Sequence, residues 1–335
     1  MLRTPFVTAV IQRIAPLIAA TVIVEPEYQY VGQITFQNGR KTLFRGASLA
    51  INSQSAAEIA RDKGYAGFFL ETLGYLVPQG RTFFSEGMNR RLAVRRGLDE
   101  SFAYAKTLGF PVIVKPNDLS QGRLVAKVFN KQEFYAQARR ILRETDVLKV
   151  ERFYTGNDYR IVVLDDRVVA AYQRIPLQVL GDGRSTIGAL VALKQQRLRA
   201  ENRPIILDPN DTRIRMNLRR RKLSLESVPR LGAVIPLLDS ANLSSGADAR
   251  DLSKAMHDDF YRLAVRVARD MQLRFCGVDI MTNDIIHPLQ DYVIIEVNSS
   301  PSLENYALIG DEQRQTVDET YRKILEAIEQ DTKAL

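Results

Sequence analysis

A short apolar stretch near the carboxyl end of the chain places the strongest limit on its fold. Residues 275–305 read FCGVDIMTNDIIHPLQDYVIIEVNSSPSLEN, a pattern that predicts two strands, Phe275–Met281 and Tyr292–Asn298, with an irregular loop between them. Side chains alternate between the two faces of a strand. The second strand is therefore expected to present four residues on one face: Tyr292, Ile294, Glu296 and Asn298.

Asp279 on the first predicted strand can lie beside Glu296 and Asn298 on the second. Two carboxylates and a carboxamide oxygen would then surround one point, and such a hard-oxygen set suits Mg²⁺. The same pattern also fits two solvent-facing acids on an edge strand. The metal-site interpretation therefore requires a nucleotide site elsewhere in the chain.

Length and composition describe a soluble globular protein. The 335 residues allow two or three subdomains, with 45% hydrophobic and 26% charged residues. Cys276 is the only cysteine, so an intrachain disulfide is impossible and a reducing, cytoplasmic location is expected. The apolar segment Phe6–Val24 is interrupted by two polar residues and a proline. It predicts a buried helix followed by the strand Thr21–Val24, with membrane-surface binding as a minor alternative.

The formal net charge of +8 suggests an anionic partner or ligand. Much of that charge lies in residues 213–222, RIRMNLRRRK, within a predicted irregular loop at 202–245. Such runs are most often a solvated face and less often an anion-binding loop. No aromatic residue interrupts this run, so a nucleic-acid partner is not expected.

Strands alternate with helices and hairpins along the chain, which predicts an α+β architecture. Residues 28–46 are expected to form a hairpin around an Asn-Gly turn. A capping box that begins at Ser55 predicts a helix that Gly64 ends. Two long amphipathic helices are expected over Asp248–Met271 and Asp311–Gln330.

A candidate phosphate-binding segment begins where the predicted strand Val112–Lys115 ends. The loop that follows contains Ser120 and Gly122, and its backbone N–H groups could contact a polyphosphate. The segment lacks the pattern of a Walker A loop. On its own, Lys115 fits an exposed residue at a strand end equally well.

A second candidate segment reads VERFYTGND and contains Glu151 and Asp158. Glu151 can accept a hydrogen bond from the exocyclic amine of adenine. Asp158, just after a Thr-Gly turn, can accept hydrogen bonds from a ribose. Each feature is weak alone, and their order along the chain strengthens the nucleotide interpretation.

That order resembles the ATP-grasp superfamily over roughly residues 45–310. The sequence motifs are most similar to those in the ATP-grasp region of cyanophycin synthetases and bifunctional glutathione synthetases, and D-alanine–D-alanine ligases look like more distant relatives. The matching pieces include VKPND, VERFYTGNDYR, GDGRSTI, ANLSSGADARD, CGVDI and EVNSSPS.

The resemblance implies an ATP-grasp fold, in which two α+β subdomains hold ATP between them beside a short N-terminal α/β portion. It suggests an N-terminal domain at 1–95, a lid subdomain at 96–153 and a C-terminal subdomain at 154–335. It also implies roles for individual residues. The ATP-binding set would be Lys63, Lys115, Ser120, Gly122, Glu151, Arg152, Phe153, Tyr154 and Asp158. The metal set would be Asp279, Glu296 and Asn298, with two Mg²⁺ ions or Mn²⁺ as an alternative.

Two further sets follow from the same resemblance. Residues near the transferred phosphate and the acyl phosphate would be Arg160, Asn242, Ser244, Ser245 and Gly246. Substrate contacts would come from Arg184, Ser300, Ser302, Glu304 and Tyr306. His257 and His287 are interpreted as ordinary helix and loop residues.

The implied activity is ATP-dependent joining of a carboxylate to an amine of amino acids or small peptides. It would proceed through an acyl phosphate and release ADP and phosphate. Members of this group are usually dimers or tetramers, so a homo-oligomer without a nucleic-acid or membrane partner is expected. No Mur-ligase-like module follows residue 335 and no glutamate–cysteine ligase module precedes residue 1. Complete cyanophycin or glutathione synthesis is therefore not expected from this chain alone.

The chain departs from the family pattern at two places. Relatives carry arginines where this chain has Leu237-Leu238-Asp239-Ser240. Part of the usual set of anion-binding side chains is therefore missing, or it is replaced by Arg184, Arg174 or the 213–222 run. Ser302 stands where many relatives have glycine. These departures leave an ATP-grasp kinase, or a nucleotide-binding module without ligation, as the alternative function.

Overall fold

The computed structural model describes residues 4–120, 122–201, 203 and 205–331. The helices among them are α1 Phe6–Ile14, α2 Gln54–Arg61, α3 Lys63–Thr72, α4 Glu86–Leu92, α5 Leu98–Leu108, α6 Lys131–Leu142, α7 Ile187–Ala200, α8 Thr212–Arg220, α9 Asp258–Asp270, α10 Glu304–Ala307 and α11 Asp311–Gln330, with 3-10 turns at Ala15–Ile18 and Leu243–Ser245. Over these described residues, none of the helices is both long enough and apolar enough to cross a bilayer.

The strands complete an α+β fold, as the sequence predicts. They are β1 Thr21–Val24, β2 Val31–Thr35, β3 Lys41–Arg45, β4 Gly80–Phe84, β5 Val112–Pro116, β6 Ala126–Val128, β7 Val147–Arg152, β8 Asn157–Leu164, β9 Arg167–Ile175, β10 Gln178–Leu180, β11 Val234–Pro236, β12 Asp248–Asp251, β13 Phe275–Thr282 and β14 Val293–Asn298.

Contacts divide the chain into two compact units that are discontinuous in sequence. The described residues of the terminal unit are 4–77, 159–173 and 251–331, and those of the middle unit lie within 78–158 and 174–250. The division into consecutive segments at 95 and 153 stays a prediction.

The core of the terminal unit forms on the sheet that contains β8, β13 and β14. The sheet order is β12-β9-β8-β13-β14. Helix α9 buries an apolar stripe that includes Phe260, Leu263, Ala264 and Val267. These residues recur at the spacing of one helix face, so burial of that face fixes the helix on the sheet. The helix predicted from Asp248 begins only at Asp258, because residues 248–251 form β12 instead.

A β-bulge corrects the predicted alternation along β14. Asp279 pairs with Glu296, but the next residue, Ile280, pairs with Ile294, so Ile295 has no partner on β13. Ile294 and Val297 are both 1% exposed and lie in the same core cluster. The prediction that Ile294 shares a face with Glu296 is therefore wrong, since the extra residue changes the phase of the strand.

The amino-terminal part of the terminal unit is a three-stranded antiparallel sheet in the order β1-β2-β3. The predicted hairpin is confirmed by the pairing of β2 with β3, and Gly39 in its turn has a φ of 82°. Glycine accepts this left-handed conformation without the steric cost of a Cβ. The sheet buries Ile34 and Phe44 on its inner face.

The helix predicted from Ser55 begins one residue earlier, and its true cap lies further upstream. The Ser53 side chain accepts a hydrogen bond from Ala56 N and caps α2. The chain then turns at Asp62, whose carboxylate accepts from Tyr65 N and caps α3. Gly64 therefore lies inside α3 rather than ending a helix, and Lys63 becomes the first residue of α3.

The middle unit contains a four-stranded sheet in the order β4-β7-β5-β6, covered by α5 and α6. Its core includes Phe83, Val114, Phe134 and Leu148, all buried. The remaining part contains the β10–β11 pair with α7 and α8. The predicted irregular loop at 202–245 thus contains a helix and a strand, while its residues 202 and 204 lie outside the described residues.

Candidate active site

The acid pair of the terminal unit lies on two neighbouring strands. Asp279 on β13 and Glu296 on β14 occupy directly opposite positions. Residues paired this way have Cβ atoms about 5 Å apart. The Asn298 Nδ2 group lies 3.4 Å from Asp279 Oδ2. The structure thus brings the three predicted metal ligands together.

Arg160 on β8 binds the Asp279 carboxylate with two parallel hydrogen bonds. Its Nε donates to Oδ1 at 2.6 Å and its Nη2 to Oδ2 at 2.7 Å. Burial acts to lower the pKa of Arg160, but Asp279, Tyr172 and Glu296 together raise it well above its ordinary value. Arg160 is therefore a permanent cation beside a nearly buried carboxylate, in the bidentate geometry that makes such pairs strong.

Gly277 leaves space for the Arg160–Asp279 pair, and Asn52 holds the strands that carry Asp279 and Glu296. A Cβ at Gly277 would lie 3.3 Å from Arg160 Cδ and Nε, so glycine lets the guanidinium cross β13 closely. Asn52 accepts hydrogen bonds from Arg274 N and Phe275 N and donates to Phe275 O and Ser299 O. This one side chain therefore fixes the start of β13 to the segment after β14.

Lys63 supplies the second cation. Its Nζ lies 3.5 Å from Glu296 Oε1, and the lysine side chain is only 7% exposed. The turn at Asp62 directs this residue, because Lys63 opens α3 immediately after the cap. Asp279 is thus paired with the cation Arg160, and Glu296 is paired with the cation Lys63.

The donor set fits Mg²⁺ by its chemistry. Mg²⁺ prefers oxygen ligands and usually takes only one or two carboxylates, with water and phosphate filling the remaining positions. Asp279 and Glu296 supply two carboxylates, and Asn298 beside them carries a carboxamide whose oxygen is a further ligand of this chemical type. Across the described residues no group of three His, Cys, Asp or Glu side chains is placed to hold a metal ion.

In the middle unit, two buried lysines flank one buried glutamate. Lys115 on β5 pairs across the strands with Lys149 on β7, and Glu151 lies two residues further along β7. Lys115 Nζ lies 2.5 Å from Glu151 Oε1, and Lys149 Nζ lies 3.6 Å from Oε2. The three side chains are between 4% and 8% exposed.

Glu151 Oε2 is a buried oxygen that accepts no hydrogen bond within the described part of the chain. Leaving a charged acceptor unsatisfied in the interior costs more than the neutral case of about 1–3 kcal/mol. Such a cost is tolerated where a ligand supplies the missing donor. Gly80 lets β4 approach this position, since a Cβ there would lie 2.7 Å from Glu151 Cβ.

The segment after Glu151 is the one for which the resemblance implies a hinge role. Arg152 N donates to Gln79 O at 2.9 Å, so this amide is already used within the protein. Lys127 Nζ lies 3.5 Å from the centre of the Phe153 ring, a cation–π contact. Burial lowers the pKa of Lys127, with Arg220 also lowering it and Asp239 opposing them. Tyr154 is partly buried.

Asp158 is bound by Arg174, which is one of the residues expected to replace the arginines that relatives carry at positions 237–240. Arg174 Nε and Nη2 donate to Asp158 Oδ1 at 2.9 and 2.6 Å. Arg174 is thus engaged with the predicted ribose ligand. Both side chains lie in the same unit as Glu151.

Two loops of the middle unit lie side by side. A Cβ at Gly122 would lie 3.2 Å from Asn242 Nδ2, which places the loop after Ser120 against the loop that begins at Asn242. Gln121, between the two predicted residues, lies outside the described residues. Asn242 Oδ1 accepts from Ser244 N and Oγ, so it caps the short 3-10 turn that Ser245 ends.

The buried Arg203 supports this second loop from within. Its Nη2 donates to Leu243 O at 3.1 Å and to Ala247 O at 2.6 Å. Gly246 between them has a φ of 92°, and a Cβ there would approach Leu207 to 2.7 Å. The loop conformation therefore depends on both residues.

The segment after β14 is a mixture of accessible and buried residues. Ser300, Ser302 and Glu304 are partly exposed. Tyr306 is 2% exposed, stacks on Tyr172 and lies 3.1 Å from Asp251 Oδ2 through its hydroxyl. The structure thus gives Tyr306 a packing role beneath the segment that was predicted to approach the substrate.

The candidate replacements for the missing arginines differ in their surroundings. Leu237 and Leu238 are core residues of the middle unit. Arg184 is exposed in a loop organised by Asp182. Arg220 of α8 pairs with Glu133 at 2.8 Å and lies 3.9 Å from Asp239. None of these contacts by itself assigns an anion-binding role.

Lys149, Arg203 and Asn52 are functional candidates that sequence reasoning missed. A signal for Lys149 was present, because a residue two positions before Glu151 on a strand lies on the same face.

The middle unit also carries the excess positive charge of the chain, with 29 lysines and arginines against 16 aspartates and glutamates, a net +13 compared with +8 for the whole chain. A polyanion such as a nucleotide triphosphate suits that field.

Comparison with known families matches residues 240–319 to the RimK-like ATP-grasp domain. This stretch contains the Asn242 loop and both strands of the acid pair. Over 257 residues the chain is 34% identical to cyanophycin synthetase of Trichormus variabilis, covering 73% of this chain and 26% of that protein. Over 252 residues it is 27% identical to the glutathione biosynthesis bifunctional protein GshAB of Pasteurella multocida, covering 70% of this chain and 31% of that protein. The chain therefore spans between about a quarter and a third of these relatives.

A solved structure shows the same fold. The crystal structure of a bifunctional glutathione synthetase from Pasteurella multocida aligns with a TM-score of 0.55 and 22% identity, covering 90% of this chain and 41% of that one. The chain thus contains, at residues 240–319, a segment that matches the RimK-like ATP-grasp domain, and it is similar to these curated relatives over 70–73% of its length and to this solved structure in its fold.

Proposed function

We propose that the chain is an ATP-dependent carbon–nitrogen ligase that joins a carboxylate to an amine of amino acids or small peptides. The observation that carries this proposal is the cross-strand pair of Asp279 and Glu296, each matched by a cation, Arg160 or Lys63. Ligation through an acyl phosphate needs charge neutralisation around a triphosphate and no covalent nucleophile from the protein. A cytoplasmic setting, where ATP and amino acids are available, belongs to the same proposal.

The nucleotide would be held by the middle unit. Glu151 Oε2 supplies an acceptor for the exocyclic amine of adenine, which would satisfy the buried oxygen. Lys115 supplies a cation for the phosphates, while Asp158, oriented by Arg174, accepts from the ribose. The Ser120–Gly122 segment would cover the phosphates.

In the first step, an oxygen of the donor carboxylate attacks the γ-phosphorus of ATP. A new O–P bond forms as the bond between that phosphorus and the bridging oxygen breaks, and ADP leaves with the electron pair. The developing negative charge needs fixed cations, and Arg160 and Lys63 are the charged groups of the terminal unit suited to this role.

In the second step, the amine nitrogen attacks the acyl carbon and forms a tetrahedral oxyanion. The C–O bond to phosphate then breaks, phosphate takes the electron pair, and the ammonium proton passes to phosphate or solvent. The 242–246 loop, whose shape Arg203 maintains, is the segment that would lie close to the acyl phosphate.

Asp279, Glu296 and Asn298 would hold Mg²⁺, which when bound supplies positive charge that offsets the charge of the phosphates. Arg160, through its two hydrogen bonds, orients the carboxylate of Asp279 for that purpose. Asn52 keeps the two strands in register by linking the segments at their ends.

A phosphate-release screen over pairs of amino acids and small peptides, with mass analysis of products, tests the proposal. ADP and phosphate are expected only when a donor and an acceptor are both present, together with an amide product. Hydroxylamine in place of the amine should yield an acyl hydroxamate. Normal ATP binding without stimulation of ADP release by any pair would overturn the proposal.

The buried Leu237 and Leu238 favour one second candidate, an ATP-grasp kinase. Apolar core residues cannot supply the cations that were expected at these positions. The same mass analysis distinguishes the two functions. A stable phosphorylated product without an amide would support the kinase.

A further inference from the structure

The outer face of the three-stranded sheet β1-β2-β3 carries a compact apolar patch that the proposed catalysis does not use. Strand pairing places Ile23, Gln33 and Leu43 side by side in one row across the sheet. Ile23 and Leu43 are each 69% exposed, although both sit in the centre of a regular strand. A groove of about 660 Å³ runs over this part of the sheet and includes all three residues in its lining.

The next row of the same face carries opposite charges at its two ends. Val31 pairs with Arg45 on one side, and Glu25 donates its backbone N–H to Val31 O on the other. The Glu25 carboxylate accepts hydrogen bonds from the backbone N–H groups of Glu27, Tyr28 and Gln29, so its position is fixed. These N–H groups also lower the pKa of Glu25, which keeps it ionised.

This pattern is complementary to itself under one particular symmetry. A two-fold axis that runs along β2, in the plane of contact, exchanges the positions of β1 and β3. Ile23 would then face Leu43 of the second copy, and Glu25 would face Arg45 of the second copy. Gln33 would face Gln33, where paired amides can hydrogen-bond to each other.

The alternative two-fold axis, perpendicular to the strands, gives a poor match. It would place Arg45 against Lys41 of the second copy, because Lys41 occupies the opposite end of β3. Like charges in direct contact oppose association. The axis along β2 is therefore the favoured arrangement, and it corresponds to the aligned packing of two sheets about 10 Å apart.

We propose that this outer face binds a second copy of the chain, with a two-fold axis along β2. An isologous contact of this kind is the commonest interface between identical subunits. The three strands cover roughly 14 by 16 Å, well below the ~800 Å² that each partner contributes to a standard stable interface. The dimer is therefore reversible, and its population rises with protein concentration.

Complementary variants test the face and the axis together. Sedimentation velocity across a wide concentration range should show dimers for the wild type. Leu43→Glu alone and Ile23→Lys alone should each sediment as monomers, because each homodimer would bring a charge against an apolar side chain. An equimolar mixture of the two should recover a heterodimer, in which one contact pairs the new glutamate with the new lysine and the other keeps the native Ile23–Leu43 contact.

Two controls separate this interface from general effects. Leu17→Glu changes an equally exposed apolar residue, 73% accessible and outside the strands of this sheet, and should leave dimerisation intact. None of these residues belongs to the candidate active site, so ADP release at low protein concentration should be unchanged. Far-UV circular dichroism checks that each variant is folded.

Crosslinking gives an independent measurement. The native Cys276 is fully buried, so Gln33→Cys introduces one reactive thiol on the proposed axis. A short bismaleimide should link two Gln33→Cys chains, and adding Leu43→Glu should abolish the link. A wild type that is monomeric at every concentration overturns the proposal. So does a dimer that survives Leu43→Glu, or a mixture of Leu43→Glu and Ile23→Lys that stays monomeric.

Discussion

Asp279 and Glu296 face each other across β13 and β14, and the unpaired Ile295 beside them changes the phase of β14. Because of that bulge, Ile294 and Val297 both reach the core while Glu296 remains beside Asp279. One strand thus contributes to core packing and also places Glu296 in the candidate active site, without burying an unpaired acid. Bulges are frequent next to active sites for this reason.

Replacing Glu296 with glutamine is expected to remove activity with little effect on folding. The amide keeps the shape of the side chain but loses the charge that would bind Mg²⁺ and that Lys63 now contacts at 3.5 Å. We expect the turnover number to fall about 100-fold or more, the range seen when a single electrostatic group is removed. ADP release and thermal unfolding measure the two effects.

The matched control is Glu71→Gln on α3, an exposed glutamate of the same unit, which should leave turnover unchanged. Wild-type activity in Glu296→Gln would remove this residue from the mechanism.

Replacing Lys115 with alanine is expected to weaken ATP use. The ion pair with Glu151 at 2.5 Å positions Lys115 in a buried site, where a charged hydrogen bond is worth about 1.5–3 kcal/mol. We therefore expect the KM for ATP to rise about 10- to 100-fold in steady-state assays, with Lys106→Ala, an exposed lysine on α5 of the same unit, as a control. An unchanged KM would argue against a phosphate-binding role.

Lys149 should affect the nucleobase through Glu151. Lys149→Met keeps the length of the side chain but removes the cation 3.6 Å from Glu151 Oε2. Glu151 would then be held by Lys115 alone, so preference for ATP over GTP should decrease. The ratio of kcat/KM for the two nucleotides measures this, and an unchanged ratio would restrict Lys149 to a structural role.

Tyr306 should contribute to the alkaline limit of stability. Burial raises its pKa from 10 to about 12, with Asp251 adding to this and Ser253 opposing it. A raised pKa in the folded state means that the folded protein binds the phenolic proton more tightly, so stability present below pH 10 is lost as the pH rises through about 12. In urea titrations, Tyr306→Phe should lose less stability than the wild type over this interval. Equal losses would contradict the assignment.

The sequence predicted the site best where chemistry and local pattern agree. Asp279 and Glu296 lie on strands with strong hydrophobic alternation, and their proximity needs only the pairing of two neighbouring strands. Lys115 and Glu151 lie on paired strands that are well separated in sequence, yet the resemblance placed both in one site. Residue type and order along the chain were sufficient for these groups.

Other features could not be predicted because they depend on tertiary contacts. No residue type around Ile295 signals the bulge, and it is recognised only from the pairing register of β14 with β13. Helix α8 lies in a basic, irregular-looking segment, and it is stabilised by burying Ile214 and Leu218 against distant residues. Arg203 shows its role only through contacts with the carbonyls of a loop 40 residues or more away.

The Arg160–Asp279 pair should be essential for stability as well as for activity. Asp279 is 2% exposed, so Arg160→Ala would leave a buried carboxylate without its bidentate partner. Breaking a buried pair in this way typically costs about 3–5 kcal/mol. The double variant with Asp279→Asn removes the stranded charge and should recover part of the loss, although it should remain inactive. Arg160→Lys should fold but turn over slowly, since an ammonium cannot reproduce the planar fork.

Urea unfolding followed by circular dichroism measures these differences. The matched control is Arg13→Ala, which breaks an ion pair with Asp318 whose side chains are 49% and 33% exposed. Exposed pairs contribute about 1 kcal/mol or less, so this change should have a small effect. If Arg160→Ala costs no more than Arg13→Ala, Arg160 does not stabilise Asp279, and its role is then confined to the reaction.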